Sequence, residues 1–347
     1  MTRIKYVLGL LGIIVFLTAC GTENKINTQA YNDTEFLMGT YVSLSVYDDG
    51  KEAAIEEGFA LVRDLADKIT GETTESEITK INTAAGEAPV VVSEEVYELI
   101  ATAAEYSETL DGQFNYTIGP ITNLWRIGFD DARKPSQAEI DAALEMIDFK
   151  KVTLDADDSS VYLEEAGMEI DLGAIAKGYI TDQVRELFEE LDVTTAIIDL
   201  GGNVFVMGAS PVREGEVWNV GIQDPFAERG ESIGSTKQSN RSIVTSGIYE
   251  RYLEVDGEIY HHLMNPKTGY PFDNEIAGVS VISEFSVDGD ALSTLIFGLG
   301  VTEGLAYVNG RSDVEAVFIT KDKEVYLSDG LKENFELRND AYTIVEQ

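Results

Sequence analysis

Three short segments of this chain hold the residue types that chemistry at a phosphate would need. In Glu169-Ile170-Asp171-Leu172-Gly173-Ala174-Ile175-Ala176-Lys177-Gly178 an acid, two glycines and a lysine crowd into a turn that opens a helix. Gly173 admits close backbone approach, amides at a helix start point at negative charge, and Lys177 adds a full positive charge, so the turn suits a phosphate-bearing ligand. In Asp288-Gly289-Asp290-Ala291-Leu292-Ser293-Thr294 a carboxylate and a hydroxyl stand four residues apart at the start of an apolar helix, which places Asp290 and Thr294 on one face. Hard divalent cations take oxygen ligands, and these two side chains with a backbone carbonyl and phosphate oxygens compose a Mg²⁺ site. The bland alternative is that Asp290 caps its helix and Thr294 bonds back to its own backbone.

His261 and His262, the only two histidines, lie in an expected strand just before Met264-Asn265-Pro266-Lys267-Thr268-Gly269. Strand alternation turns only one of them to a given site, and the Pro- and Gly-bearing turn that follows favours display of His262. Ser246-Gly247 lacks the Gly-x-Ser-x-Gly elbow of a serine hydrolase. Gly298-Leu299-Gly300 lacks dinucleotide spacing and reads as a helix stop, while Asn115 to Pro120 and Gln223-Asp224-Pro225 read as turn chemistry.

Apolar periodicity predicts the elements that must position these groups. Ile55, Phe59, Val62, Leu65 and Ile69 form one helical face between Lys51 and Ile69; Val96, Leu99, Ile100 and Ala103 form another, from Ser93 to a Gly112 stop. Ser136 and Glu139 form a capping box ahead of Ile140, Leu144 and Ile147, and the helix after Lys177 carries Ile180, Val184, Leu187, Phe188 and Leu191. From Ala196 onward strands dominate. Ala196–Leu200 and Val204–Met207 flank Gly201-Gly202-Asn203, and Tyr252–Val255 and Glu258–Leu263 flank Asp256-Gly257, both hairpin signals. Helices early and hairpins late predict an α+β fold with mixed, largely antiparallel sheets and helices packed on them.

The N-terminus begins with Arg3 and Lys5, continues through an apolar run from Tyr6 to Phe16 and reaches Leu17-Thr18-Ala19-Cys20-Gly21. That run is too short for a mature membrane span, and small residues precede a cysteine, the pattern of a lipoprotein signal peptide. The expectation is cleavage after residue 19 and lipidation (a palmitate-bearing modification) of Cys20, the single cysteine, which leaves the protein anchored to the cell membrane on its extracytoplasmic face. Residues 20–33 are mostly polar and are expected to form a tether, with a single folded body over 34–347. Without residues 1–19 the chain has 63 acidic and 23 basic residues, a net −40, which excludes a generally basic nucleic-acid or anionic-lipid surface. Any anionic ligand must be held by a local device.

Taken in order, Met38-Gly39-Thr40, Phe114-Asn115-Tyr116-Thr117-Ile118-Gly119-Pro120 with Leu124-Trp125, the turn from Asp171 to Gly178, Asp199-Leu200-Gly201-Gly202-Asn203, Thr245-Ser246-Gly247, His262 to Gly269 and Asp290 to Thr294 resemble the landmarks of the ApbE-type FAD:protein FMN transferases. The resemblance covers nearly the whole mature chain. It implies an ApbE-like body that binds FAD with Mg²⁺ and transfers FMN to a threonine hydroxyl of an exported acceptor flavoprotein, releasing AMP. It further implies that the Ala174 carbonyl, Asp290 and Thr294 hold the metal, and that Met38, Gln113, Phe114, Asn115, Asp171, Lys177 and Met264 contact FAD. His262 matches the family histidine and is expected to act as base towards the threonine hydroxyl. Three positions depart from the family pattern: Asn115 replaces the usual Asp, Ile248 replaces a polar residue, and Gly71 to Thr74 lacks an aromatic. The alternatives left open are a Mg²⁺-dependent FAD pyrophosphatase and a non-catalytic FAD- or solute-binding lipoprotein.

Overall fold

The computed structural model describes residues 25–71, 75–212 and 216–346; the signal segment and Cys20 lie outside them, as do Glu72, Thr73 and Thr74 of the expected aromatic position. The fold is α+β. A nine-stranded sheet runs in the spatial order Ile26–Leu37, Thr40–Asp48, Ala196–Leu200, Asn203–Met207, Arg241–Gly247, Ile276–Ser283, Val314–Thr320, Glu324–Leu327 and Thr343–Ile344. Every neighbouring pair is antiparallel except the last. Three smaller sheets complete the β structure.

Seven helices are present among the described residues: α1 Ala53–Ile69, α2 Glu77–Thr83, α3 Glu94–Glu108, α4 Gly119–Trp125, α5 Gln137–Leu144, α6 Ala176–Glu190 and α7 Ser286–Asn309. The apolar stripes of α1, α3 and α6 are buried as their periodicity predicts, and the Ser136–Glu139 capping box is formed. α7 is apolar on all sides because it is a core helix. Leu292, Leu295, Ile296 and Phe297 are at most 1 % exposed, and each such burial contributes about 1.5–3 kcal/mol.

One expectation is corrected. Residues 26–33, read as a tether, belong to the Ile26–Leu37 edge strand, which registers against Thr40–Asp48. An edge strand with one face in solvent needs little apolar content, so its polar sequence hid it. The first helical segment of α7 stops at Gly300, whose φ is 78°, as the Gly298-Leu299-Gly300 pattern predicts; a second segment starts at once, and the Glu275 carboxylate accepts its Val301 N–H at 2.8 Å.

Candidate active site

The start of α6 meets the start of α7. Gly178 makes this crossing possible, since a Cβ there would lie 2.4 Å from the Ser286 carbonyl oxygen. Asp182, one turn further along α6, caps α7 by accepting the amides of Ser286 at 2.9 Å and Val287 at 2.8 Å. Burial pushes its carboxyl up to about 6 despite those two bonds.

This crossing delivers Asp290 to the first turn of α6. Its side chain is 5 % exposed and forms an ion pair with Lys177 Nζ at 3.1 Å. Its second oxygen accepts the Gly178 N–H at 2.9 Å. In a regular helix that amide would go to the carbonyl four residues back, at Ala174. Among the described residues no donor is paired with the Ala174 carbonyl, and the Gly178 amide is taken by the Asp290 carboxylate instead. The anion that the turn was expected to hold is thus, in this structure, the chain's own Asp290. A helix start plus Lys177 attracts whichever negative group is nearest, and chain topology supplies one from 113 residues away.

Thr294 stands half-buried one turn beyond Asp290 on α7. Between them Ser293 ties the segment down: its hydroxyl donates to the Asp290 carbonyl at 2.9 Å and pairs with Ser246 Oγ at 2.8 Å. Ser246 and Ser293 were not singled out by sequence as supports of Asp290; the spacing of Ser293 three residues after Asp290 was the available signal. Ser246 has a hydroxyl partner and no base, which agrees with its rejection as a nucleophile.

The oxygen donors suit a hard cation. The orphaned carbonyl of Ala174, the carboxylate of Asp290 and the hydroxyl of Thr294 are all hard ligands, and no group of three His, Cys, Asp or Glu side chains gathers among the described residues to make a softer site. One carboxylate cannot complete an octahedral shell, so phosphate oxygens and water must supply the rest.

The other expected residues are placed as follows. Asp171 has both oxygens engaged, one by Thr122 Oγ1 at 2.5 Å and one by the Gly173 amide at 2.7 Å, which shapes the turn. The 113–120 segment lies alongside it through Asp171 N to Tyr116 O at 2.9 Å and Gly119 N to Glu169 O at 3.2 Å. The buried Oε1 of Gln113 has no partner among the described residues. Asn115 Oδ1 accepts from both Thr117 N and Thr117 Oγ1, a role that an aspartate would fill equally, and it lines a cavity of about 260 Å³ with Lys150, Pro266 and Lys267. Phe114 and Met264 are core side chains, 3 % and 6 % exposed, the latter among Ile121, Trp125 and Ile140. Met38 occupies the hairpin turn at φ 52°, a conformation rare for a non-glycine residue.

The strand ends at His261, so the expectation that both histidines lie in it is corrected for His262, which stands in the bend that follows. His261 is buried, with Nδ1 accepting the Leu263 amide and Nε2 facing the Phe272 carbonyl, and burial lowers it to about 4. His262 is half-buried, and its Nδ1 faces the Arg251 carbonyl at 3.2 Å. A carbonyl only accepts, so Nδ1 holds the proton and Nε2 keeps its lone pair. Desolvation first, then the nearby Arg251 charge, lowers His262 to about 3.

Known proteins resemble this chain over most of its length. The model of the ApbE family matches residues 38–318. The FAD:protein FMN transferase of Klebsiella pneumoniae (strain 342) is 41 % identical over 320 residues, covering 92 % of this chain and 98 % of the relative. That of Treponema pallidum (strain Nichols) is 35 % identical and covers 97 % of each chain. The crystal structure of the ApbE protein from Thermotoga maritima superposes with a TM-score of 0.80 at 30 % identity, covering 88 % of this chain and 99 % of that one. The apo flavinyl transferase ApbE of Pseudomonas stutzeri gives 0.76 at 25 % identity, over 88 % and 97 %. A match over most of the sequence, joined to the same fold, places this chain in the ApbE family.

Proposed function

We propose that the chain is a Mg²⁺-dependent FAD:protein FMN transferase that moves FMN from FAD to a threonine hydroxyl of an exported acceptor protein and releases AMP, working from a membrane surface to which lipidated Cys20 anchors it. The observation that carries this reading is the pairing of Lys177 with Asp290 beside the unengaged Ala174 carbonyl. A carrier needs no buried carboxylate at a cationic helix start, whereas cleavage of a pyrophosphate needs charge neutralised there. Ala174, Asp290 and Thr294 would hold the Mg²⁺, which when bound neutralises phosphate charge.

The chain's own groups account for the rest. Lys177 offers its ammonium to the phosphate oxygens. The α6–α7 crossing and the Ser246–Ser293 pair fix the site rigidly, so little reorganisation is needed during reaction. The threonine oxygen attacks the phosphorus on the FMN side, the bridging P–O bond breaks, AMP leaves, and His262 Nε2 takes the threonine proton. Burial keeps His262 neutral and able to accept, and the negative charge of a bound pyrophosphate raises its basicity at the moment of use.

The test mixes the intact chain in detergent with FAD, Mg²⁺ and a threonine-bearing exported flavoprotein. Flavin fluorescence that survives denaturing electrophoresis, with AMP in equal amount, supports transfer; free FMN and AMP with unlabelled acceptor point to hydrolysis, and intact FAD points to a carrier.

A further inference from the structure

Between α3, α6 and the first turn of α7 lies a cavity of about 390 Å³ that takes no part in the chemistry above. Aromatic side chains wall it: Tyr97 from α3, Tyr179 from α6 and Phe285 just before α7. Its mouth is acidic, with exposed Glu98 and Glu105 on α3 facing Glu186 on α6. Arg185 engages Glu186 and Asp182 and already stands over the Phe285 ring at 5.3 Å, which leaves Tyr97 and Tyr179 as the aromatic walls for an incoming cation; among the described residues no cation pairs with Glu98 or Glu105. Tyr179 is 7 % exposed, and among the described residues its buried hydroxyl has no hydrogen-bond partner. A buried hydroxyl left unpaired is destabilising, and a donor entering the cavity would relieve it.

Carboxylates around aromatic faces are the chemistry that binds an organic cation. The cavity is also placed to matter. Asp182 lines it while capping α7, and Tyr106 on α3 donates to Asp288, two residues before Asp290. The helix that forms its wall leads directly into the 113–115 segment. We infer that this cavity is a docking pocket for the acceptor protein, taking an arginine or lysine side chain that flanks the target threonine. The inference rests on the transferase reading and adds how the acceptor is recognised. The net acidity of the chain favours a partner that presents positive charge.

The test uses the intact chain in detergent, an acceptor that the wild type labels, and Nα-acetyl-arginine amide as the cation probe. Glu98→Gln/Glu105→Gln should raise the KM for acceptor about tenfold and flatten its salt dependence, leaving the KM for FAD and the melting temperature unchanged. Tyr179→Phe should raise the acceptor KM by a smaller factor. Acetyl-arginine amide should bind in calorimetry, compete with acceptor but not with FAD, and lose binding in the double variant. An unchanged acceptor KM in the double variant overturns the inference, even if the probe binds, since the pocket would then serve a small free cation. Failure of the probe to bind while transfer proceeds overturns docking alone. Failure of the wild type to label any acceptor while FAD is hydrolysed brings down the transferase reading first, and the docking role with it.

Discussion

Replacing Lys177 by Met isolates the electrostatics of the centre. The Asp290 side chain is 5 % exposed and is held by Lys177 Nζ at 3.1 and 3.4 Å and by the Gly178 amide at 2.9 Å. Without the ammonium, one backbone N–H remains to compensate a buried negative charge. Removing one partner of a buried pair costs about 3–5 kcal/mol, and the 18 % exposure of Lys177 argues for the lower end. At roughly 2 °C per kcal/mol for a domain of this size, Lys177→Met should melt about 6 °C below wild type. A divalent cation at a hundred times its Kd adds about 2.7 kcal/mol. In the variant that cation replaces the lost charge; in the wild type it must first displace the ammonium from Asp290. Thermal melts with and without Mg²⁺, and without nucleotide, should therefore show a larger Mg²⁺-dependent rise in Lys177→Met than in wild type. A variant that melts with wild type, or one that gains no more from Mg²⁺ than wild type does, refutes the argument that Asp290 serves both cations.

Three further outcomes follow from the same geometry. His261 and His262 are lowered to about 4 and about 3 from an unfolded value near 6.5, so through them the unfolded chain binds more protons between those limits; their contribution to stability should be full above pH 6.5 and fall as pH drops towards 4, against the opposite contribution of Asp182, and equilibrium unfolding of His261→Asn should lose stability less steeply than wild type across that window. Gly178→Ala drives a methyl to within 2.4 Å of the Ser286 carbonyl and should cost about 1–3 kcal/mol in melts while abolishing flavin transfer, because Asp290 moves with α7; full activity would show that the crossing tolerates separation. Asn115→Asp keeps the oxygen that serves Thr117, so stability should stay within about 0.5 kcal/mol, and a larger loss in melts would show that the amide N–H is used.

The parts of the fold that were legible in the sequence are those set by local rules. The stripes of α1, α3 and α6, the Ser136–Glu139 box and the hairpin at Gly201-Gly202 needed only periodicity, caps and turn chemistry. The Ile26–Leu37 strand and the short helices α2 and α4 escaped because polar edge strands and helices of seven residues carry little periodic signal. The placement of Asp290 and Thr294 on one helix was legible from their spacing, whereas the strand read through His262 ends one residue earlier, at His261. The pairing of Lys177 with Asp290, the release of the Ala174 carbonyl and the Ser246–Ser293 support could not, since each joins elements distant along the chain. Asp171 shows the converse: its placement in an anion-binding turn was legible, but its carboxylate builds the turn through Thr122 and Gly173.

The central claim is that three oxygens, the Ala174 carbonyl, an Asp290 carboxylate oxygen and Thr294 Oγ1, hold one divalent cation against a pyrophosphate. Crystals grown with FAD and Mn²⁺, with anomalous scattering used to locate the metal, address it directly. The account predicts a Mn²⁺ peak within about 2.0–2.3 Å of all three oxygens, with Asp290 turned from Lys177 to the metal. A peak elsewhere, with Asp290 still paired to Lys177 and Thr294 unengaged, would contradict it.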